Sequence, residues 1–387
     1  MELFDVYPLF DITPVKGEGT WIYDDKGNKY MDFYGGHAVI SIGHSHPHYV
    51  EKIKTQAENL IFYSNSVQNP IQQQLAKKLG ELSGMEDYQL FLCNSGAEAN
   101  ENAIKLASFH TGRKKVVALH KGFHGRTSAA VAATDNPKIV APVNANHEVE
   151  HLPMNDISAL ENSLKNEDVA ALIIEGIQGV AGCYMPEKEY LQEAEKLCKK
   201  YGTMLIMDEV QAGYGRSGKF FSFQLSDLNP DIVTMAKGMG NGFPVGGILI
   251  APHIKPWKGM LGTTFGGNHL ASTAALAVLE VIENEDLLNK VTEKGKWLVE
   301  QLKDLSGVKE IRGAGLMIGL EFNYPVAELR KSLLNDYRIF TGSSGNANTL
   351  RLLPPLNVSQ EEMQLFVSTI KQAISKLEEN ETVHLNS

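Results

Sequence analysis

Short apolar runs punctuate the chain: YQLFLC at 88–93, KVVALH at 115–120, VAALIIE at 169–175, TMLIMDEV at 203–210, DIVTMAK at 231–237 and GGILIAP at 246–252. A nearly unbroken apolar run, without polar alternation, is the pattern of a strand covered on both faces. Between several of these runs the period becomes helical. EYLQEAEKLCKKYG sets Leu191, Ala194 and Leu197 at helical spacing and ends on Gly202, while NHLASTAALAVLEVIENEDLL predicts one long, mostly apolar helix over 268–288. Apolar strands alternating with helices predict an α/β fold built on a mainly parallel sheet, with ligands gathered at the carboxyl ends of its strands.

The two ends of the chain read differently. GTWIYDDKGNKYMDF alternates apolar and polar positions around a DKGN turn, a hairpin pattern, and the last hundred or so residues mix helices such as VTEKGKWLVEQLKDL with short strands such as GLMIGLEF. Residues 1–48 and 280–387 are therefore assigned to a smaller α+β domain beside a large domain of residues 49–279. The length of 387 residues accommodates two domains at roughly 150 residues each.

Composition narrows the partners. The 36 lysines and arginines against 46 acids leave a net charge of −10, which repels nucleic acid and anionic membranes at long range. Small-molecule substrates are expected, and anionic ones would need local arginines. Cys93, Cys183 and Cys198 form no CxxC pair and no even framework, which points to a reducing compartment. MELFDVYPLFDITP carries acids and proline where a signal peptide needs a basic start and an apolar stretch. No run approaches the roughly 18 apolar residues of a membrane helix, so a cytoplasmic location is expected.

Three pieces carry chemistry. Lys237 follows an apolar strand and precedes Gly238, Gly240 and Gly242; with water stripped from its amine, the neutral nucleophile is favoured, as a Schiff-base lysine requires. Asp208 closes the run TMLIMD. A carboxylate is costly to bury unpaired, and a protonated pyridine nitrogen would serve as its cation. FLCNSGAEANENAIKLA reads as strand, tight turn and helix, so that Ser95, Gly96 and Ala97 open a helix whose free amides and macrodipole attract phosphate. Aldehyde trap, pyridine partner and phosphate cradle together describe pyridoxal 5'-phosphate (PLP).

Other readings are weaker. GHSHPH spaces three histidines without a carboxylate or cysteine at zinc spacing, and His120 and His124 lack the glutamate of HExxH, so no metal site is expected. GMGNG and GAGLMIG do not fit GxGxxG followed by an acid about 20 residues on, which counts against a nicotinamide oxidoreductase. Retention of Lys237 and Asp208 counts against a non-catalytic binding protein.

These pieces belong to a longer series of motifs. GEGTWIYDDKGNKYMDF, GHSHP, CNSGAEANE, GFHGRT, the IQG of LIIEGIQG, DEVQAGYGRSGKF, PDIVTMAKGMGNGFP, GTTFGGN, GLMIGLEF and LRLLPPL occur in one order along nearly the whole chain. The series resembles the class III (ω-amino acid) aminotransferases of PLP fold type I, and within them the acetylornithine aminotransferase subgroup. The resemblance implies Lys237 as the lysine bonded to the cofactor and Asp208 as the partner of its ring nitrogen, the two catalytic residues. It further implies Val210 and Phe123 on the ring faces, Gln211 at the ring hydroxyl and Gly96 and Ala97 at the phosphate. Thr264 would reach the neighbouring subunit's cofactor phosphate, with Thr263 beside it near substrate, in a homodimer with shared sites. Arg126 and Arg351 would clamp substrate carboxylates, a task suited to arginine's planar fork.

The implied reaction moves the δ-amine of an N-acylated ornithine to 2-oxoglutarate, in arginine biosynthesis. N-succinylornithine, ornithine and 4-aminobutyrate remain alternative donors. Gly176 and Val180 depart from the family's usual VEPIQGEGG, with a glycine in place of proline and a valine in place of the second glutamate. Ser66 and Val67 stand where the subgroup often carries larger residues.

Overall fold

The computed structural model describes residues 1–385, with side chains as far as Glu379. Its first strands are Pro14–Glu18 (β1), Trp21–Asp24 (β2) and Lys29–Asp32 (β3). Seven more follow: Gln89–Cys93 (β4), Lys115–Leu119 (β5), Val149–Leu152 (β6), Val169–Glu175 (β7), Met204–Asp208 (β8), Ile232–Met235 (β9) and Gly246–Ile250 (β10). The last are Val308–Ala314 (β11), Met317–Phe322 (β12), Ile339–Phe340 (β13) and Thr349–Leu352 (β14).

All six apolar runs lie in one seven-stranded sheet of order β4-β10-β9-β8-β7-β5-β6. Only β10 runs against its neighbours β4 and β9. Every residue of β7 and β8 is buried, and Leu172, Ile173 and Ile174 of β7 are each at most 1% exposed; full burial of such side chains contributes about 1.5–3 kcal/mol apiece. β6 escapes the sequence pattern because it is an edge strand, VEHL, with only Leu152 buried. Register across β7, β8 and β9 puts Glu175, Asp208 and Thr234 side by side at the carboxyl edge. The helix Gly96–Thr111 packs across these strands and presents its first turn at the same edge.

The chain's two ends meet. The hairpin read from GTWIYDDKGNKYMDF is β2 and β3, joined by β1 on one side and, in parallel, by β13 on the other. Phe33, following β3, stacks on Phe366 with ring centres 4.1 Å apart. β11, β12 and β14 form a third sheet. The helix His269–Asn284 crosses residue 280, where the sequence placed a boundary. The single helix expected over 268–288 is two: it stops at Asn284, Asp286 takes a left-handed φ of 51°, and Leu287–Leu302 begins a new axis. The apolar face continues through the break, so periodicity alone could not reveal it.

Candidate active site

At the carboxyl edge of β7, β8 and β9 lies a cavity of about 360 Å³. Lys237 stands on its wall, two residues beyond the end of β9, at the head of a short 3-10 turn. Its φ of 48° is left-handed, which costs a residue with a β-carbon about 1–2 kcal/mol. The surroundings hold that conformation in place. Asn241 Oδ1 accepts from the amides of Ser41 and Ile42 at 2.8 and 3.0 Å, its Nδ2 donates to Gly43 O at 2.9 Å, and Ser41 Oγ donates to Gly238 O at 2.7 Å. Strain enforced in this way is a mark of functional backbone. Burial pushes the Lys237 ammonium below the usual lysine range, against the opposing charges of Asp208 and Glu175, so that the free amine is accessible.

Asp208 ends β8, 3% exposed. Its Oδ2 accepts from Asn100 Nδ2 and meets His124 Nδ1, each at 2.8 Å, and its Oδ1 accepts from the Val210 amide at 3.0 Å. Glu175, its neighbour on β7, accepts from the amides of Phe123 at 2.9 Å and Gly179 at 3.2 Å. Burial raises the Glu175 carboxyl, and the Asp208 charge adds to the effect. Burial alone would lower His124, yet its hydrogen bond to Asp208 and the charges of Asp208 and Glu175 leave it raised. The imidazole is thus buried against Asp208, with the charge of Glu175 also acting on it.

Ser95 caps the helix Gly96–Thr111, its Oγ accepting from Glu98 N at 3.2 Å. A first-turn amide has no partner within its own helix, and Gly96 and Ala97, which open this helix, line the cavity. At Gly96 the backbone must approach closely: a β-carbon there would stand 2.5 Å from Val210 Cγ1. Phe123 and Val210 line the cavity, as does Gln211, whose Nε2 donates to His37 O at 2.9 Å. Arg126 is exposed at the rim, its guanidinium carbon 6.0 Å from the centre of the Phe123 ring.

Nine residues singled out from the sequence, Ser95, Gly96, Ala97, Phe123, Arg126, Asp208, Val210, Gln211 and Lys237, thus share one cavity. Arg351 stands behind its wall, buried, with Nη1 donating to Gly179 O at 3.0 Å next to the cavity residue Val180. Thr263 and Thr264 lie elsewhere. Thr263 Oγ1 accepts from the Gly266 amide at 3.1 Å and borders a different cavity; Thr264 is exposed. His124, Asn100 and Glu175 were missed. Glu175 closes an apolar strand just as Asp208 does, and that shared pattern could have found it. The GHSHPH histidines take separate carboxylates, His44 with Asp32, His46 with Glu285 and His48 with Glu280. Among the described residues no group of three or more potential ligands could hold a metal ion.

The family model for class III aminotransferases matches residues 5–374. The chain belongs to that family. This aminotransferase is 40% identical over 381 residues to the acetylornithine aminotransferase of Bacillus cereus, covering 96% of its own length and 97% of the relative's. Among solved structures it resembles the acetylornithine aminotransferase of Elizabethkingia anophelis, with a TM-score of 0.83 and 31% identity over 96% and 95% of the two chains. It also resembles the ornithine aminotransferase of Toxoplasma gondii, with a TM-score of 0.87 and 28% identity over 96% and 92%; that structure has PLP at partial occupancy in its active site. The cavity of this aminotransferase fits PLP on its own chemistry. An amine whose burial favours the neutral form, a buried carboxylate at a strand end and a helix start crowded to the last β-carbon face one space of small-molecule size.

Proposed function

We propose that this aminotransferase uses PLP to move the δ-amine of an N-acylated ornithine, acetylornithine foremost, to 2-oxoglutarate, as a step of arginine biosynthesis. The convergence of Lys237, Asp208 and the Gly96 helix start on one cavity carries the cofactor assignment. The acetylornithine aminotransferases at 39–42% identity over nearly the whole chain support the donor. Resemblance to an ornithine aminotransferase structure supports unmodified ornithine as the second reading, and N-succinylornithine and 4-aminobutyrate are further candidates.

PLP supplies an aldehyde for the amine and a protonated ring that draws electrons from the substrate carbon. Lys237 would hold the aldehyde, and its Nζ would move a proton at the substrate carbon; positioned proton transfer contributes on the order of 10²–10⁴-fold. Asp208 would hold the proton of the ring nitrogen, and His124 and Asn100 fix its carboxylate. Phe123 and Val210 would flank the ring and exclude water, Gln211 would meet the ring hydroxyl, and the amides of Gly96 and Ala97, beside Ser95, would take the phosphate. Arg126 meets the donor's α-carboxylate and Arg351 a carboxylate of 2-oxoglutarate. The chain divides into residues 49–279, holding most of the cavity, and residues 1–48 with 280–387. It acts as a homodimer in which Thr264 reaches the partner's phosphate site and Thr263 lies near substrate. Among the described residues no helix is long and apolar enough to cross a membrane; the location proposed is the cytoplasm.

The test is a half-reaction panel. Purified enzyme should be yellow, borohydride followed by peptide mapping should mark Lys237, and an acylated ornithine should change the spectrum faster than ornithine or 4-aminobutyrate. Protein that takes up no PLP overturns the cofactor assignment, and a faster response to ornithine or 4-aminobutyrate overturns the acylated donor.

A further inference from the structure

Beside the active-site cavity lies a second, of about 420 Å³, and Phe123 and Val180 line both. Val180 is apolar yet 36% exposed, as a side chain between two open spaces must be. Lys121, Thr134, Asp135, Asn136, Tyr184 and Asn346 supply the second cavity's polar surface.

Its charges do not cancel. Asp135 is occupied by the Lys121 amide at 2.8 Å and by His120 Nδ1 at 3.2 Å. Arg312, which lies against Tyr184, is paired with Glu310 and Glu321 at 2.6 and 2.5 Å. The Lys121 ammonium, by contrast, has no carboxylate within ion-pair distance among the described residues. It lies 4.9 Å from the centre of the Tyr184 ring, and the Arg312 guanidinium carbon lies 4.0 Å from the same centre. One ring serving two cations is a weak partner for either. The backbone at Lys121 is also left-handed, with φ of 64°. Its amide bond to Asp135 and the Asp135 N to Gly122 O bond of 3.0 Å hold the turn there. An unpaired cation on enforced backbone, lining a polar cavity that shares Phe123 and Val180 with the reaction site, is chemically suited to an anion.

We propose that Lys121 determines donor specificity by binding a carboxylate at the far end of the acyl arm, which passes between Phe123 and Val180 while the amine stays at Lys237. The inference rests on the acylornithine reading above and extends it to the class of acyl group. A terminal carboxylate replaces the shared cation–π contact with a charge-assisted hydrogen bond. Val180, carrying no charge, does not repel it. A donor with a short neutral arm gains nothing from Lys121.

The experiment uses the PLP-loaded enzyme and two donors of similar arm length, N-succinylornithine and neutral N-butyrylornithine. Wild type should favour the carboxylate donor in kcat/KM by about tenfold, a factor worth about 1.4 kcal/mol. Lys121→Met should bring the ratio near one through KM with kcat retained, and Lys121→Arg should restore it. Raising salt should shrink the wild-type ratio, since the group is solvent-accessible. If both donors react and the ratio is the same in Lys121→Met, this proposal falls and the acylornithine reading stands. If neither reacts while acetylornithine does, this proposal falls and the acylornithine reading stands; if no acylated ornithine reacts while ornithine or 4-aminobutyrate does, both fall.

Discussion

Arg351 is a buried guanidinium held by neutral groups. Nε donates to Ser343 O at 2.5 Å, Nη1 to Gly179 O at 3.0 Å and Nη2 to Tyr34 Oη at 3.5 Å, and no carboxylate pairs with it among the described residues. A buried charge without a counter-ion is costly, and a substrate carboxylate removes that cost on binding. The side chain at 180 decides whether the fork stays open, because Gly179, its neighbour, already touches Arg351. Val180→Glu places a competing carboxylate there. The expected outcome is a rise of about tenfold in the KM for 2-oxoglutarate, about 1.4 kcal/mol, with kcat little changed. Steady-state kinetics over a 2-oxoglutarate series check this; an unchanged KM means that residue 180 does not reach Arg351. At this scale Lys237 and Asp208 were legible because a charged residue at the end of an apolar run is anomalous by itself. His124 was not, since a histidine after Phe123 gains meaning only from the carboxylate that the fold brings to it.

Secondary-structure elements explain one departure from the family pattern. A β-carbon at Gly176, just past β7, would stand 2.2 Å from Ser222 Oγ. That hydroxyl is not free to move, for it donates to Glu209 Oε1 at 2.6 Å, and the amides of Ser222 and Phe223 also bond Glu209, each at 2.9 Å. Glycine at 176 is thus the partner of serine at 222, a pairing across 46 residues that no local pattern displays. The strands of the central sheet were readable because burial on both faces leaves no polar positions. The left-handed turn Gly35–Ala38 was not, since its non-glycine members His37 and Ala38, at φ of 66° and 62°, are fixed by contacts from distant segments. Glu209 also gives this junction a pH dependence. Burial raises its carboxyl from an ordinary 4.5 to about 7, against the three hydrogen bonds from 222–223. The folded chain therefore keeps a proton that the unfolded chain releases, and this stabilisation is complete below pH 4.5 and lost as pH rises through about 7. Melting curves at about pH 5 and pH 8 check it: Glu209→Gln, which does not titrate, should lose less Tm between the two than wild type. An equal loss would show that other groups set the slope.

For the whole molecule, the decisive surface is one that this chain leaves open. Leu60, Ile61, Phe62 and Tyr63 form an exposed apolar run, and Phe62 meets the exposed Phe265 with ring centres 5.4 Å apart. Contiguous exposed apolar surface of this kind marks an interaction face, and Thr264 lies on it, away from its own chain's cavity. A two-fold assembly through that face would give each cavity a threonine from the other subunit, as an isologous contact does for every residue it uses. Lys237→Ala and Thr264→Ala separate this arrangement from one in which each chain completes its own site. Each variant alone should be inactive at limiting PLP, the first for want of its amine and the second for want of phosphate affinity. After dissociation and reassembly as an equal mixture, half the dimers are mixed, and each mixed dimer has one site with both lesions and one with neither. Activity should then return to about a quarter of the wild-type value, the share set by two-fold symmetry and random pairing. If Thr264 served its own chain's cavity, every site in the mixture would keep one lesion, and activity would stay at the level of the separate variants.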